Sequence, residues 1–127
     1  MIDALFNQPN YVAVKKMLDA TLMRHEAIAS NLANIETPNY KRLDVTPSFE
    51  SQLRQAIGGG DSEQISALEP QLGIDTSAVC MRNDGNTVQL ESELLKLNQN
   101  TLENAAETQL VTSSLAKLRV AITGNPQ

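Results

Sequence analysis

Residues 80–91, "CMRNDGNTVQLE", place a glycine sixth and a glutamate twelfth, which is the spacing of a calcium-binding loop. Such a loop also needs oxygen donors first and third, and those positions hold Cys80 and Arg82. A thiol and a guanidinium do not bind a hard cation, so the stretch is not read as a metal site. Residues 58–60, "GGG", lack the Lys-Ser/Thr pair that lets a glycine loop hold phosphate, and read as a linker without packing content. His25 is the only histidine and Cys80 the only cysteine. One imidazole cannot build a multi-histidine metal centre, and neither residue has an evident partner for a nucleophile–base pair. His25 falls on an apolar helical stripe, where a packing role is expected, and Cys80 is expected to be an incidental thiol. The carboxylates sit singly. The residues therefore predict no enzyme, no catalytic residue, no metal and no cofactor.

The chain's bulk properties narrow the remaining classes. It has 127 residues, net charge −5, 41% hydrophobic residues and only 3% aromatic ones. A chain rich in Leu and Ala but poor in rings suits helix-on-helix packing. The ten basic residues are scattered, which argues against nucleic acid as a partner. Residues 41–87 carry four basic and seven acidic side chains, whereas 11–35 and 88–122 are close to neutral. Near-neutral ends that pack and an acidic middle that faces water fit this distribution. No apolar run approaches the roughly 18 residues of a membrane span. The opening "MIDALFNQPNYVAVKK" has no basic region followed by a long apolar stretch, so a cleaved signal is not expected. "MIDALF" is the candidate for an export signal.

These residues would be positioned by two long helices. Tyr11, Val14, Leu18, Leu22, His25, Ala29, Leu32 and Ile35 follow steps of three and four, which puts them on one face. Pro9 and Asn10 start this helix and Pro38 bars its continuation. Leu90, Leu94, Leu97, Thr101, Asn104, Thr108, Val111, Leu115, Leu118 and Ile122 keep a heptad register. Asp84-Gly85 predicts a tight turn before that helix, with Asn86 or Thr87 as cap, and Gly124 predicts its end. Thr101, Asn104 and Thr108 make the middle of the seam polar. Either they form a register-setting polar core, or the helix rotates to bring Leu102 and Ala105 inward. Between the helices, "PSFESQLRQAI" predicts a short helix bearing Phe49, Leu53 and Ile57, and residues 58–75 are assigned no structure. The predicted fold is mainly α: long terminal helices pair as an antiparallel coiled coil around a small irregular middle segment. The expected divisions are 1–45, 46–83 and 84–127. The predicted packing residues are Leu18, Leu22, Ala29, Leu90, Leu94, Leu97, Val111, Leu115, Leu118 and Ile122. Such seams are expected to be marginal in a monomer and to order against other chains.

The stretch "ASNLANIETPNYKRLDV", residues 29–45, resembles the N-terminal signature of the flagellar rod, hook and hook-associated axial proteins. In that family a helix ends in an Asn-Leu-Ala-Asn-type run, followed by Thr-Pro-Gly-Tyr and a basic residue. Ser30, Asn31, Leu32, Ala33, Asn34, Thr37, Pro38, Tyr40 and Lys41 match, while Asn39 stands where glycine is usual. Residues 82–102 and 118–124 are similar to the C-terminal helix of a short proximal-rod member of the family, with Asn104 where an aromatic residue is common. The resemblance implies a structural subunit of the proximal rod that packs with copies of itself, other rod proteins and the base of the rod. It implies passage through the flagellar type III export apparatus and a place in the basal body, in the periplasmic space. It also implies that the matched residues form an assembly joint. Asn31 and Asn34 would bond free backbone groups at the helix end, and Tyr40 would bury its ring against a neighbouring subunit. The alternative is a soluble helical adaptor or export chaperone that dimerises through 88–122.

Overall fold

The computed structural model describes residues 8–124, so the "MIDALF" candidate lies outside the described residues. Helix α1 spans Pro9–Ala33, with a proline in its first turn, where the missing N–H costs no hydrogen bond. A joint loop leads to strand β1 (Leu43–Val45), then helix α2 (Pro47–Gly59) and the short helix α3 (Ser62–Ala67). Strand β2 (Leu72–Ile74) pairs antiparallel with β1, Leu43 opposite Ile74 and Val45 opposite Leu72. Helix α4, Leu90–Thr123, closes the fold.

The chain is mainly helical, and α4 packs against α1 as expected from the two periodic segments. The middle segment is not irregular. Phe49, Leu53 and Ala56 put one face of α2 into the core. The glycine run does not act as a free linker: Gly58 and Gly59 finish α2, and Gly60 takes φ 68° as its cap. Asp61 then caps α3 by accepting from the Glu63 and Gln64 amides, and Ile65 is fully buried. The core joins Val45, Phe49, Leu53, Ala56 and Ile65 to Ala13 and Ala20 of α1, with Val12, Met23 and Leu68 against it. Small alanines on α1 let the α2–α3 layer approach closely. Periodicity of the large side chains did not reveal that face.

The stripe expected on α1 therefore points elsewhere. His25 and Ala29 are exposed and Leu22 is 53% exposed, so His25 has no packing role within the chain. The seam of α4 is also displaced. Its buried residues are Glu93, Asn100 and Glu107, seven apart, with Leu97 and Asn104 half-buried between them and Val111 and Leu118 half-buried beyond Glu107. Leu90, Leu94, Leu115 and Ile122 are exposed, as are Thr101 and Thr108. Leu102 is 72% exposed and Ala105 is exposed, so the helix has rotated away from both arrangements considered from the sequence. Only Asn104 of the three polar seam residues meets α1, donating to Thr21 Oγ1 at 3.4 Å.

Candidate assembly joint

The end of α1 and the approach to α4 form one interlocked structure. Neither Asn86 nor Thr87 caps α4; Gln89 occupies the cap position without a side-chain hydrogen bond. Both side chains are instead spent on the joint. Asn86 is buried, and its Nδ2 faces the carbonyl oxygens of Asn34, Ile35 and Thr37 at 2.9, 3.1 and 2.8 Å. Its Oδ1 accepts from the Val88 amide at 2.7 Å. Carbonyls freed where α1 ends thus find a donor from a residue 49 to 52 positions away, which removes the cost of leaving them unpaired. Thr87 Oγ1 accepts from the Arg42 amide at 2.8 Å, and the Thr87 amide donates to the Tyr40 carbonyl at 3.0 Å.

The turn chemistry explains two residues of the motif. Asn39 has φ 60°, a left-handed conformation that asparagine tolerates better than other non-glycine residues. Its amide donates to the Asp84 carbonyl at 2.8 Å. Gly85 has φ 77°, and a Cβ there would lie 2.4 Å from Asn39 Oδ1. The two turns fit only because one of them lacks a side chain.

Asn31 is buried and reaches sideways rather than capping its own helix. Its Nδ2 donates to the Leu43 carbonyl at 2.9 Å, and its Oδ1 accepts from the Leu43 amide at 2.8 Å, in the manner of a strand neighbour. Asn34 does bond the helix end, donating from Nδ2 to the Ser30 carbonyl at 2.9 Å. Thr37 Oγ1 donates to Asn34 Oδ1 at 3.1 Å. Tyr40 is half-buried within its own chain, its hydroxyl 3.1 Å from Ser30 Oγ and 3.3 Å from Asn31 Oδ1. Lys41 donates to the Gly85 carbonyl at 2.6 Å, and Arg82 donates to that of Ile35. Leu32 is half-buried, while Ala33, Thr37 and Pro38 are exposed.

Beneath the joint lies a buried ion cluster that sequence reasoning did not single out. Arg42 Nε donates to Glu93 Oε1 at 2.6 Å, and both side chains are almost fully buried. Arg42 Nη1 also meets Asp75 and Asp44. Burial alone would lower the pKa of Arg42, but Glu93, Asp75 and Asp44 outweigh it and raise the value further. Burial pushes Asp75 up, yet hydrogen bonds from Ser77 and Arg42 hold it below the usual carboxylate range. Asn31 Nδ2 lies 3.3 Å from Glu93 Oε2, which ties the motif to the cluster. The available signal was the polar heptad Glu93, Asn100, Glu107, in which two carboxylates flank an amide on one helix face.

Further along, Thr21 Oγ1 lies 2.8 Å from Glu107 Oε2 and 2.9 Å from the Leu18 carbonyl, while Asn100 Nδ2 donates to the Thr21 carbonyl at 2.9 Å. Burial, with the neighbouring charge of Glu103, raises the pKa of Glu107 against the opposing Thr21 bond and Arg24 charge. Cys80 is exposed and donates to the Arg82 carbonyl at 3.2 Å. Among the described residues no group of three His, Cys, Asp or Glu side chains could hold a metal ion, and no helix is long and apolar enough to cross a membrane. The site is built to join segments, with its donors and acceptors mostly turned on one another.

No family model matches the chain. It is 31% identical over 105 residues to a flagellar basal body rod protein FlgB of Borrelia hermsii, covering 68% of this chain and 76% of that protein. It is 29% identical over 109 residues to the FlgB of Cereibacter sphaeroides, covering 80% and 84%. With the FlgB of Aquifex aeolicus it shares 29% identity over 115 residues, covering 89% and 92%. These alignments span most of each chain, and the chain accordingly belongs to the FlgB family of flagellar basal body rod proteins.

Proposed function

We propose that this chain is a non-enzymatic structural subunit of the proximal rod of the flagellar basal body. It packs with copies of itself, with other rod proteins and with the base of the rod through its terminal helices. The observation that carries this reading is the open face of the helix pair. Thr21 meets Glu107 and Asn31 meets Glu93, so α1 and α4 run antiparallel. At about 100° per residue, the row Leu18, Leu22, Ala29 and the row Leu90, Leu94, Leu115, Ile122 turn to the same side, away from the α2–α3 layer. Leucines left on one continuous face, above a seam of buried polar residues, fit a surface that other chains cover. Coiled-coil pairing with those chains would use Leu97, Val111 and Leu118 at the margin of the same rows.

In this reading the segments 1–45, 46–83 and 84–127 divide the work: two terminal segments assemble, and the middle one braces them. The joint from Ser30 to Lys41 sets the angle at which the first helix leaves the assembly. The relatives are named as flagellar basal body rod proteins, which supports a location in the rod, within the periplasmic space. Passage through the flagellar type III export apparatus without a cleaved signal completes the proposal.

The test replaces Leu94 and Leu115 together by Gln in a bacterium that depends on this protein for motility. Loss of rods in electron micrographs, with the purified variant still folded by circular dichroism, is the expected result. Full rods and normal swimming would sink the reading. A wild-type chain that forms only a closed dimer of fixed stoichiometry would favour the adaptor or export-chaperone alternative.

A further inference from the structure

We propose that residues 2–7 of this chain fold back into the groove between the beginning of α1 and the end of α4, and cap it until another chain takes their place. The groove has a volume of about 360 Å³, and Tyr11, Val14, Leu110, Leu115 and Leu118 give it apolar walls. Gln8 lines it too, so the chain enters α1 at the groove's own edge. A residue before proline is held out of the helical region, and Gln8 is extended, at φ −64° and ψ 131°. The segment before it therefore leaves the axis of α1 instead of prolonging it, and the groove is the apolar surface beside its point of departure.

Length, composition and charge all suit this occupant. Fully extended, six residues reach about 20 Å. The stretch of α4 from Leu110 to Ala121 that lines the groove is about 17 Å long. Ile2, Ala4, Leu5 and Phe6 are apolar, and Asp3 is the only charged side chain of the segment. Around the groove, residues 8–18 and 108–124 contain Lys15, Lys16, Lys117 and Arg119 and no carboxylate. Lys16 is paired with Glu69, and Lys15 sits over the Tyr11 ring at 5.6 Å. Lys117 lines the groove, and among the described residues no carboxylate lies within ion-pair distance of it. Asp3 supplies one. Burying Leu5 and Phe6 is favourable, but ordering six residues costs a comparable amount. The contact is thus marginal: it shields the apolar walls without making the end of α4 rigid, and it can be displaced. The contact stands apart from the rod reading, but its consequence rests on it. Leu115 belongs to the row that other chains would cover, so an incoming chain has to expel residues 2–7 first.

The test uses the full chain carrying Cys80→Ser, Ala4→Cys and Ser114→Cys, since Ser114 lines the groove. In dilute protein under a glutathione redox buffer, a disulfide that closes within one chain is expected, read as a monomer of raised electrophoretic mobility. A chain with Ala4→Cys that keeps its native Cys80 should close none, because Cys80 lies at the joint end, beyond the roughly 37 Å length of α1. In the trapping background, Leu5→Gln with Phe6→Gln should slow closure at least about tenfold. Asp3→Lys should slow it at least about threefold at low salt. Closure at the same rate in all three would mean chance collision of a free chain end and would overturn the proposal. Disulfides that join two chains instead of closing one would overturn it as well, and give the groove to a second copy. Methyl resonances supply a second reading on the otherwise wild-type chain. Leu5→Gln with Phe6→Gln should shift those of Leu110, Leu115 and Leu118 and leave those of Leu43 and Leu53 in place; groove methyls that do not move would sink the contact. None of these readouts involves rods, so their failure leaves the proposed function standing, and the Leu94 and Leu115 substitutions test that function separately.

Discussion

Arg42 and Glu93 put a full ion pair where almost no water reaches, and the arrangement survives because Asp75, Asp44 and Asn31 share it. Removing one partner strands the other. Glu93→Ala should cost about 3–5 kcal/mol in urea unfolding, whereas Arg42→Met with Glu93→Leu should cost far less, because no buried charge remains. Two carboxylates set opposite pH responses. Glu107 has a folded pKa above its unfolded value, so the stability it contributes is fully present below the unfolded pKa and is lost as pH rises through the folded one. Glu107→Gln should therefore be more stable than wild type at neutral pH and lose that advantage in acid. Asp75 has a depressed pKa, so its contribution is present above the unfolded value and lost as pH falls through the folded one. Asp75→Asn should flatten that acid limb. Thermal midpoints measured across the acid range check both.

At the scale of elements, the joint loop and the turn before α4 behave as one piece. Asn86 supplies the donor for the end of α1, and Gly85 leaves room for Asn39. Gly85→Ala adds a Cβ both at positive φ and against Asn39, and should cost on the order of 1–3 kcal/mol. The loss should be partly recovered with Asn39→Gly, which removes the colliding side chain and suits φ 60°. Urea unfolding of the single and double variants measures the coupling. Helix α4 was legible as a helix, and its end at Gly124, φ 67°, follows from the chain alone. Its rotation was not, because the side chains that dock on α1 are polar and bond to a residue about 80 positions away.

Across the whole molecule, support for α4 is uneven. Glu93, Asn100 and Glu107 are buried, but none of the described residues from 108 onward is. Segment-resolved amide exchange should show protection over 93–107 and fast exchange over 108–123 in the monomer, since protection follows burial and contact density. Slowing of the second half on assembly would then report directly on packing between chains. Equal protection along the whole helix would mean that the monomer already stabilises it.

The sequence by itself determined the two long helices, the end of α4 at Gly124 and the turn at Gly85, because each depends on local periodicity or backbone preference, whereas α1 stops at Ala33, short of the Ile35 that its periodicity included. Tertiary structure alone decided which faces close. Ala13 and Ala20 pack in the core because small side chains allow close approach, while Leu22 and Leu94 stay outside. It also decided that Arg42 meets Glu93, a pairing across 51 residues that no local pattern encodes. Charges that read singly along the chain as solvated became the buried fastening between the joint and α4, since their desolvation is offset only once the partners have been brought together.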